Sequence, residues 1–151
     1  MKQRLSGASH ALITGGPVVD VTIAHHPSVT GALEEIGLVA NRVRAAMLID
    51  TGAAHSVLDH DMIHQVGLQP ISTTNMRGVG GIVRDCLIYQ TRLLITTRSG
   101  TVVLDTVVVG IQAFLPPGVH YRGLLGRSAL HQARFIYNGD EGTFDLHRVA
   151  S

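Results

Sequence analysis

Tryptophan is absent from this chain, and aromatic residues make up only 4% of it. Any core must therefore be built from Val, Leu and Ile. There is one cysteine, Cys86, which excludes a disulfide scaffold and equally a zinc site built on two or four cysteines. Charged residues are scarce at 15%, against a usual share of roughly 25%. With hydrophobic residues at 45%, that excludes a solvated, disordered chain. The net charge of +1 gives no electrostatic footprint for nucleic acid. No apolar run approaches the roughly 18 residues of a membrane span. Lys2 and Arg4 are followed by Ser6, Gly7, Ser9 and His10 rather than by an apolar stretch. No secretory signal is expected, and the expected location is cytoplasmic.

What is present is turn-rich and mostly of period two. The 151 residues include 17 glycines and 5 prolines, about one domain's worth of chain. Residues 17–24 alternate and are rich in Val, Thr and Ile, as a half-buried strand should be. His25, His26, Pro27 and Ser28 break that strand, and the two histidines read as a surface loop. Residues 43–49 form an apolar strand that runs into Asp50-Thr51-Gly52, and residues 56–58 form a shorter one. Residues 59–66 place Met62, Ile63 and Val66 on one helical face, with Asp59 as N-cap and Gly67 as stop. Residues 76–83 hold Gly78, Gly80 and Gly81 and read as a hairpin with a glycine tip. Residues 87–97 and 101–109 are the longest strand signals. Residues 128–133 make one or two helical turns, and residues 135–137 and 143–146 flank a glycine-rich turn. Many short strands with one or two short helices predict a β-barrel or sandwich-like domain.

Three separated segments carry the chemistry. In the first, Leu48 and Ile49 lead into Asp50-Thr51-Gly52-Ala53, with Ala54, His55, Ser56 and Val57 after it. The second is Arg77-Gly78-Val79-Gly80-Gly81. The third is Arg122-Gly123-Leu124-Leu125-Gly126-Arg127-Ser128. Together they resemble the retropepsin-like aspartic proteases, single-domain relatives of the pepsins, in their bacterial form. The family pattern is a hydrophobic pair, D-T-G-A and a Ser or Thr, then a glycine-tipped flap, then a hydrophobic pair with Gly-Arg and a short helix. A lone D-T-G is weak, but three elements in order are far more specific. The resemblance runs from about Gly16 to Leu146.

It implies an all-β fold, the closed barrel half of an acid protease, completed as a homodimer, with residues 1–151 as one domain in which 1–15 is expected to be a flexible N-terminal arm. It also implies an aspartic endopeptidase acting on extended polypeptide. Asp50, Thr51 and Gly52 would form the catalytic turn, and Val79, Gly80 and Gly81 the flap. Leu48, Ala53, His55, Val57, Arg122 and Leu124 would line the substrate pockets. No cofactor or metal is implied. Peptide hydrolysis by this route needs two carboxylates sharing a proton, and the chain has one D-T-G, so a second copy must bring the other. Two departures stand out. Ala54 occupies the place where viral members carry an acid that pairs with the Arg of the third segment, leaving Arg127 to another partner. Arg122 stands where many relatives have a small apolar residue.

Rival readings exist for the same residues. Asp50-Thr51-Gly52 is also an ordinary turn sequence, and the fold could serve as a non-proteolytic dimerisation or peptide-binding module. His60 and His64 have the spacing of zinc ligands on a helix. The metalloprotease pattern, however, needs Glu where Asp61 stands, and no third ligand follows at family spacing.

Overall fold

The computed structural model describes residues 7–78, 80–112 and 119–149. Its centre is a closed barrel of six strands. These are β1 (Val18–Ala24), β2 (Val43–Ile49), β3 (Val57–Asp59), β5 (Gly81–Thr97), β6 (Gly100–Ile111) and β7 (Gly123–Leu125). The pairing order is β1-β2-β7-β3-β6-β5, and β5 returns to β1, with Val21 opposite Ile95, to close the ring. A further strand, β4 (Pro70–Gly78), pairs only with the first half of β5 and extends as a hairpin.

The alternation expected in residues 17–24 is realised. Val19, Val21 and Ile23 are buried while Asp20 is exposed. They meet Met47, Leu58, Leu93, Ile95, Leu104, Val108 and Leu125, all essentially inaccessible to solvent. Each such side chain contributes roughly 1.5–3 kcal/mol by leaving water, so a barrel without tryptophan has an adequate aliphatic core. A hairpin of β8 (Ala133–Asn138) and β9 (Thr143–Arg148) packs outside the barrel, and Leu146 joins the core.

Four helices accompany the strands among the described residues, where one or two were expected. Helix α3 (His60–Val66) has the predicted ends. The Asp59 carboxylate accepts from the Asp61 amide at 2.8 Å, and Gly67 closes it in a left-handed cap. Helix α4 (Arg127–Leu130) is the short turn after β7. Helix α1 (Gly7–Gly15) occupies most of the expected arm, with Leu12 buried. Helix α2 (Pro27–Glu35) begins where the sequence suggested only a loop. His26 is its N-cap, accepting from the Ser28 amide at 3.3 Å, and Pro27 supplies a pre-set first turn. The expectation that His25 is a surface residue is overturned. Its ring is buried, and Nε2 lies 2.8 Å from the Val66 carbonyl at the end of α3. No described helix is long and apolar enough to cross a membrane.

Candidate active site

Strands β2 and β3 lie on either side of β7. Leu48 and Ile49 pair in parallel with Leu124 and Leu125, and Val57 pairs antiparallel with Leu124. Residues 50–56 must therefore cross the end of β7, and the crossing places Asp50 in a tight turn. The Asp50 amide donates to the Leu125 carbonyl at 2.9 Å, continuing the β2–β7 ladder by one bond. Asp50 Oδ1 accepts from the Gly52 amide at 2.9 Å, and the Ala53 amide donates to the Asp50 carbonyl at 3.2 Å. These bonds fix the carboxyl on a half-buried residue rather than leaving it to swing in solvent.

The crossing is bound to helix α4 at several points. The first amides of a helix have no partner within it, and α4 has no side-chain cap because its N-cap is Gly126. The turn supplies what is missing. The Arg127 amide donates to the Ala53 carbonyl at 2.8 Å, and the Ser128 amide to the Ala54 carbonyl at 3.0 Å. The Arg127 guanidinium reaches back as well, Nη1 donating to the Thr51 carbonyl at 2.8 Å. Arg127 has thus found its partner, a backbone carbonyl of the turn in place of the carboxylate that Ala54 lacks.

Beneath the turn sits a small polar knot. Ser56 is fully buried, and its Oγ accepts from the Gly126 amide at 3.0 Å and from Ser128 Oγ at 3.1 Å. The Ser56 amide in turn donates to Ser128 Oγ at 3.0 Å. Buried hydroxyls are tolerated only when so satisfied, and here the satisfaction joins residues 72 apart in sequence.

Above the turn is the hairpin of β4 and β5. Its tip residue Val79 lies outside the described residues. Gly81 has φ 114° and so needs to be glycine, whereas Gly80 has no such requirement. Further down, Thr74 pairs with Cys86 but Met76 pairs with Val83, so Arg84 and Asp85 together face Asn75. Asp85 takes φ 55° there, and its amide donates to Asn75 Oδ1 at 3.1 Å. Such a bulge bends and twists the hairpin.

Turn and hairpin share a cavity of about 690 Å³. The floor contributes Asp50, Gly52, Ala53, Ala54, His55, Val57, Leu124 and Arg127, and the hairpin Asn75, Met76, Arg77 and Gly78. Of the residues expected to line pockets, Ala53, His55, Val57 and Leu124 are therefore brought together beside Asp50. Leu48 and Arg122 lie elsewhere. Leu48 packs against Gly16, and the Arg122 guanidinium pairs with the buried Asp59 at 3.6 Å. The Arg122 backbone bridges strands, its amide donating to Ala46 and its carbonyl accepting from Asp59. Arg77, Asn75 and Met76 were not singled out for this role by the sequence. Strand period alone does not tell which side of the hairpin faces inward once a bulge intervenes.

The alternative site on α3 is less developed. The His60 and His64 rings are 5.9 Å apart. Among the described residues no group of three or more His, Cys, Asp or Glu is placed to hold a metal ion.

Curated proteins give no match. Among solved structures, the EIAV protease complexed with the inhibitor HBY-793 is similar at 23% identity and a TM-score of 0.45, covering 76% of this chain and 85% of that one. The family model described as aspartyl protease matches residues 36–129, well over half of the chain. That span holds the Asp50 turn, the hairpin above it and the Arg127 that braces it from below, and the chain belongs to the aspartyl protease family as an aspartic-type endopeptidase.

Proposed function

We propose that the active enzyme is a twofold homodimer in which Asp50 of each copy forms one catalytic pair. The observation that carries this is the composition of the cavity: among the described residues, Asp50 is the only acid in its lining. The reaction needs two carboxylates, and a symmetric dimer is the simplest way for one turn to appear twice. Two like charges about 3 Å apart do not both ionise, so the pair holds one proton between them. The ionised carboxylate takes a proton from water as its oxygen attacks the scissile carbonyl carbon. The protonated one gives its proton to the carbonyl oxygen. The tetrahedral intermediate then collapses, a proton passes to the amide nitrogen, the C–N bond breaks, and an acid and an amine leave.

In this reading Thr51 ties the two turns together across the axis. Gly52 keeps the approach to the pair clear. Val79, Gly80 and Gly81 form the tip that closes over an extended peptide and excludes solvent. The peptide lies as a strand between hairpin and floor, its alternate side chains meeting Ala53, His55, Val57 and Leu124. Leu48 and Arg122 serve the frame that holds these walls.

The test is Asp50→Asn, nearly isosteric and able to keep the Gly52 bond through the amide oxygen. Because one substitution removes both carboxylates, cleavage of a peptide library should fall by roughly 10³-fold or more while light scattering still reports a dimer. Specific activity of the wild type should also fall on dilution through the dimer dissociation constant. Undiminished cleavage by dimeric Asp50→Asn, or full turnover by a strict monomer, would refute the proposal.

A further inference from the structure

We infer that the groove selects polypeptide segments bearing an acidic side chain near the scissile bond, through Arg127 and Arg77; the inference rests on the reading of the Asp50 cavity as the substrate groove. The cavity lining carries two guanidinium groups, Arg127 from the floor and Arg77 from the hairpin, against the single carboxyl of Asp50. Among the described residues the ion pairs are Arg92–Asp105, Arg122–Asp59 and His147–Asp145. Neither groove arginine belongs to one, and both side chains are exposed. A guanidinium has five N–H donors in a rigid fork. Only one bond from the Arg127 guanidinium is accounted for, to the Thr51 carbonyl. Ala54, an exposed methyl at the position where a carboxylate could have paired with it, lines the same cavity as Arg127.

The charge is therefore held in place by the turn yet left without a counter-ion. A carboxylate on a bound peptide matches it in shape as well as sign, since the fork accepts two oxygens at once. Arg77 contributes a second positive centre from the other wall. Repulsion from Asp50 keeps the acidic side chain away from the reacting carbonyl itself, so the preference belongs to flanking positions.

Binding separates this from the question of turnover. The Asp50→Asn protein is titrated with fluorescent peptides that have apolar central residues and differ by Glu or Gln at one flanking position at a time. At about 0.05 M salt, the Glu peptide should bind roughly tenfold more tightly than its Gln twin at one position or more. The gap should shrink at about 0.5 M salt. Ala54→Asp should shrink it too, by giving Arg127 an internal carboxylate, and Arg77→Gln should do so by removing the second charge. Equal affinity for Glu and Gln at every position, no binding of either peptide, or a preference that survives both substitutions overturns the inference. Cleavage of the Gln peptides by the wild type is read in parallel. Cleavage without Glu preference sinks the selectivity and leaves the catalytic reading standing. A Glu preference in binding without any cleavage does the reverse.

Discussion

Replacing Gly126 with alanine adds a single methyl group, and it lands on backbone. A β-carbon at this position would lie 2.3 Å from the His55 carbonyl oxygen, 2.6 Å from the His55 carbonyl carbon and 2.9 Å from the Ala53 carbonyl oxygen. The conformation of Gly126, φ −88° and ψ −177°, is open to any residue, so only space is at issue. Real β-carbons stay beyond about 3.0 Å, so the His55 carbonyl would have to withdraw by most of an ångström. It cannot rotate away cheaply, because its neighbour Ser56 is locked to the Gly126 amide and to Ser128. Overpacking of this kind costs about 1–3 kcal/mol, and a buried hydrogen bond left unmade adds about 1–3 kcal/mol. The expected loss is about 2–6 kcal/mol, or roughly 4–24 °C in Tm for a domain of this size. Cleavage should suffer more than stability, because the displaced carbonyls belong to the turn that holds Asp50. The assay is thermal melting by circular dichroism beside cleavage of a fluorogenic peptide. Gly31→Ala, within α2 and with nothing inside 4 Å of the added carbon, serves as the control and should be neutral or stabilising by up to about 1 kcal/mol. If Gly126→Ala melts within about 2 °C of the wild type and cleaves normally, the crossing is not close-packed in the manner described.

Other perturbations reach different parts of the molecule. Ser56→Ala strips the Gly126 amide and Ser128 hydroxyl of a buried partner and should lower urea stability by about 1–3 kcal/mol at an unchanged m-value. Gly81→Val forces a β-branched residue to φ 114° in open space. It should depress cleavage with little change in melting, whereas Gly80→Val should be far milder in both, and equal effects would deny the hairpin tip its conformational role. The Arg92 guanidinium donates to both oxygens of Asp105, at 2.8 and 2.9 Å, and this bonding holds the Asp105 carboxyl below its usual range. A lowered carboxyl contributes stability above the unfolded value, near 3.9, and loses it as pH falls through the folded one. Asp105→Asn should therefore cost at most about 1 kcal/mol at neutral pH, the pair being over a third exposed. That gap should close in acid, and a gap that widened there would reverse the assignment.

The Asp50 turn was legible as a turn because its determinants are local in sequence and strict in type. Asp50, Gly52 and the hydrophobic pair before them announce a strand ending in a tight turn, whereas no motif named the Thr51 carbonyl as the partner of Arg127. The barrel strands were legible where one face is buried, as in residues 17–24 and 43–49. Helix α2 was not, because none of its residues is buried and so no apolar stripe marks it. Its start was written only in the capping chemistry of His26 and Pro27. His25 was misplaced because its partner, the Val66 carbonyl, is 41 residues away, beyond any local pattern. Whether Leu48 and Arg122 face groove or frame depends on neighbours such as Gly16 and Asp59, which no motif position specifies. The bulge at Asp85 escaped notice for a similar reason. Aspartate tolerates a left-handed backbone better than most residues, but it does not demand one.

The threading of β7 between β2 and β3 also sets an order of events in time. Antiparallel neighbours such as β5 and β6 can zip from the turn that joins them, while the parallel pairing of Leu48 with Leu124 must wait for the closure of a long loop. Until residues 122–128 insert, the Asp50 turn lacks its Leu125 acceptor, the amides of α4 and the Arg127 brace. A chain emerging from the ribosome therefore carries Asp50 for about eighty residues (at about 5–20 residues per second) before its turn is braced. On the reading of Asp50 as the catalytic residue, topology withholds hydrolytic competence until the C-terminal segment is in place.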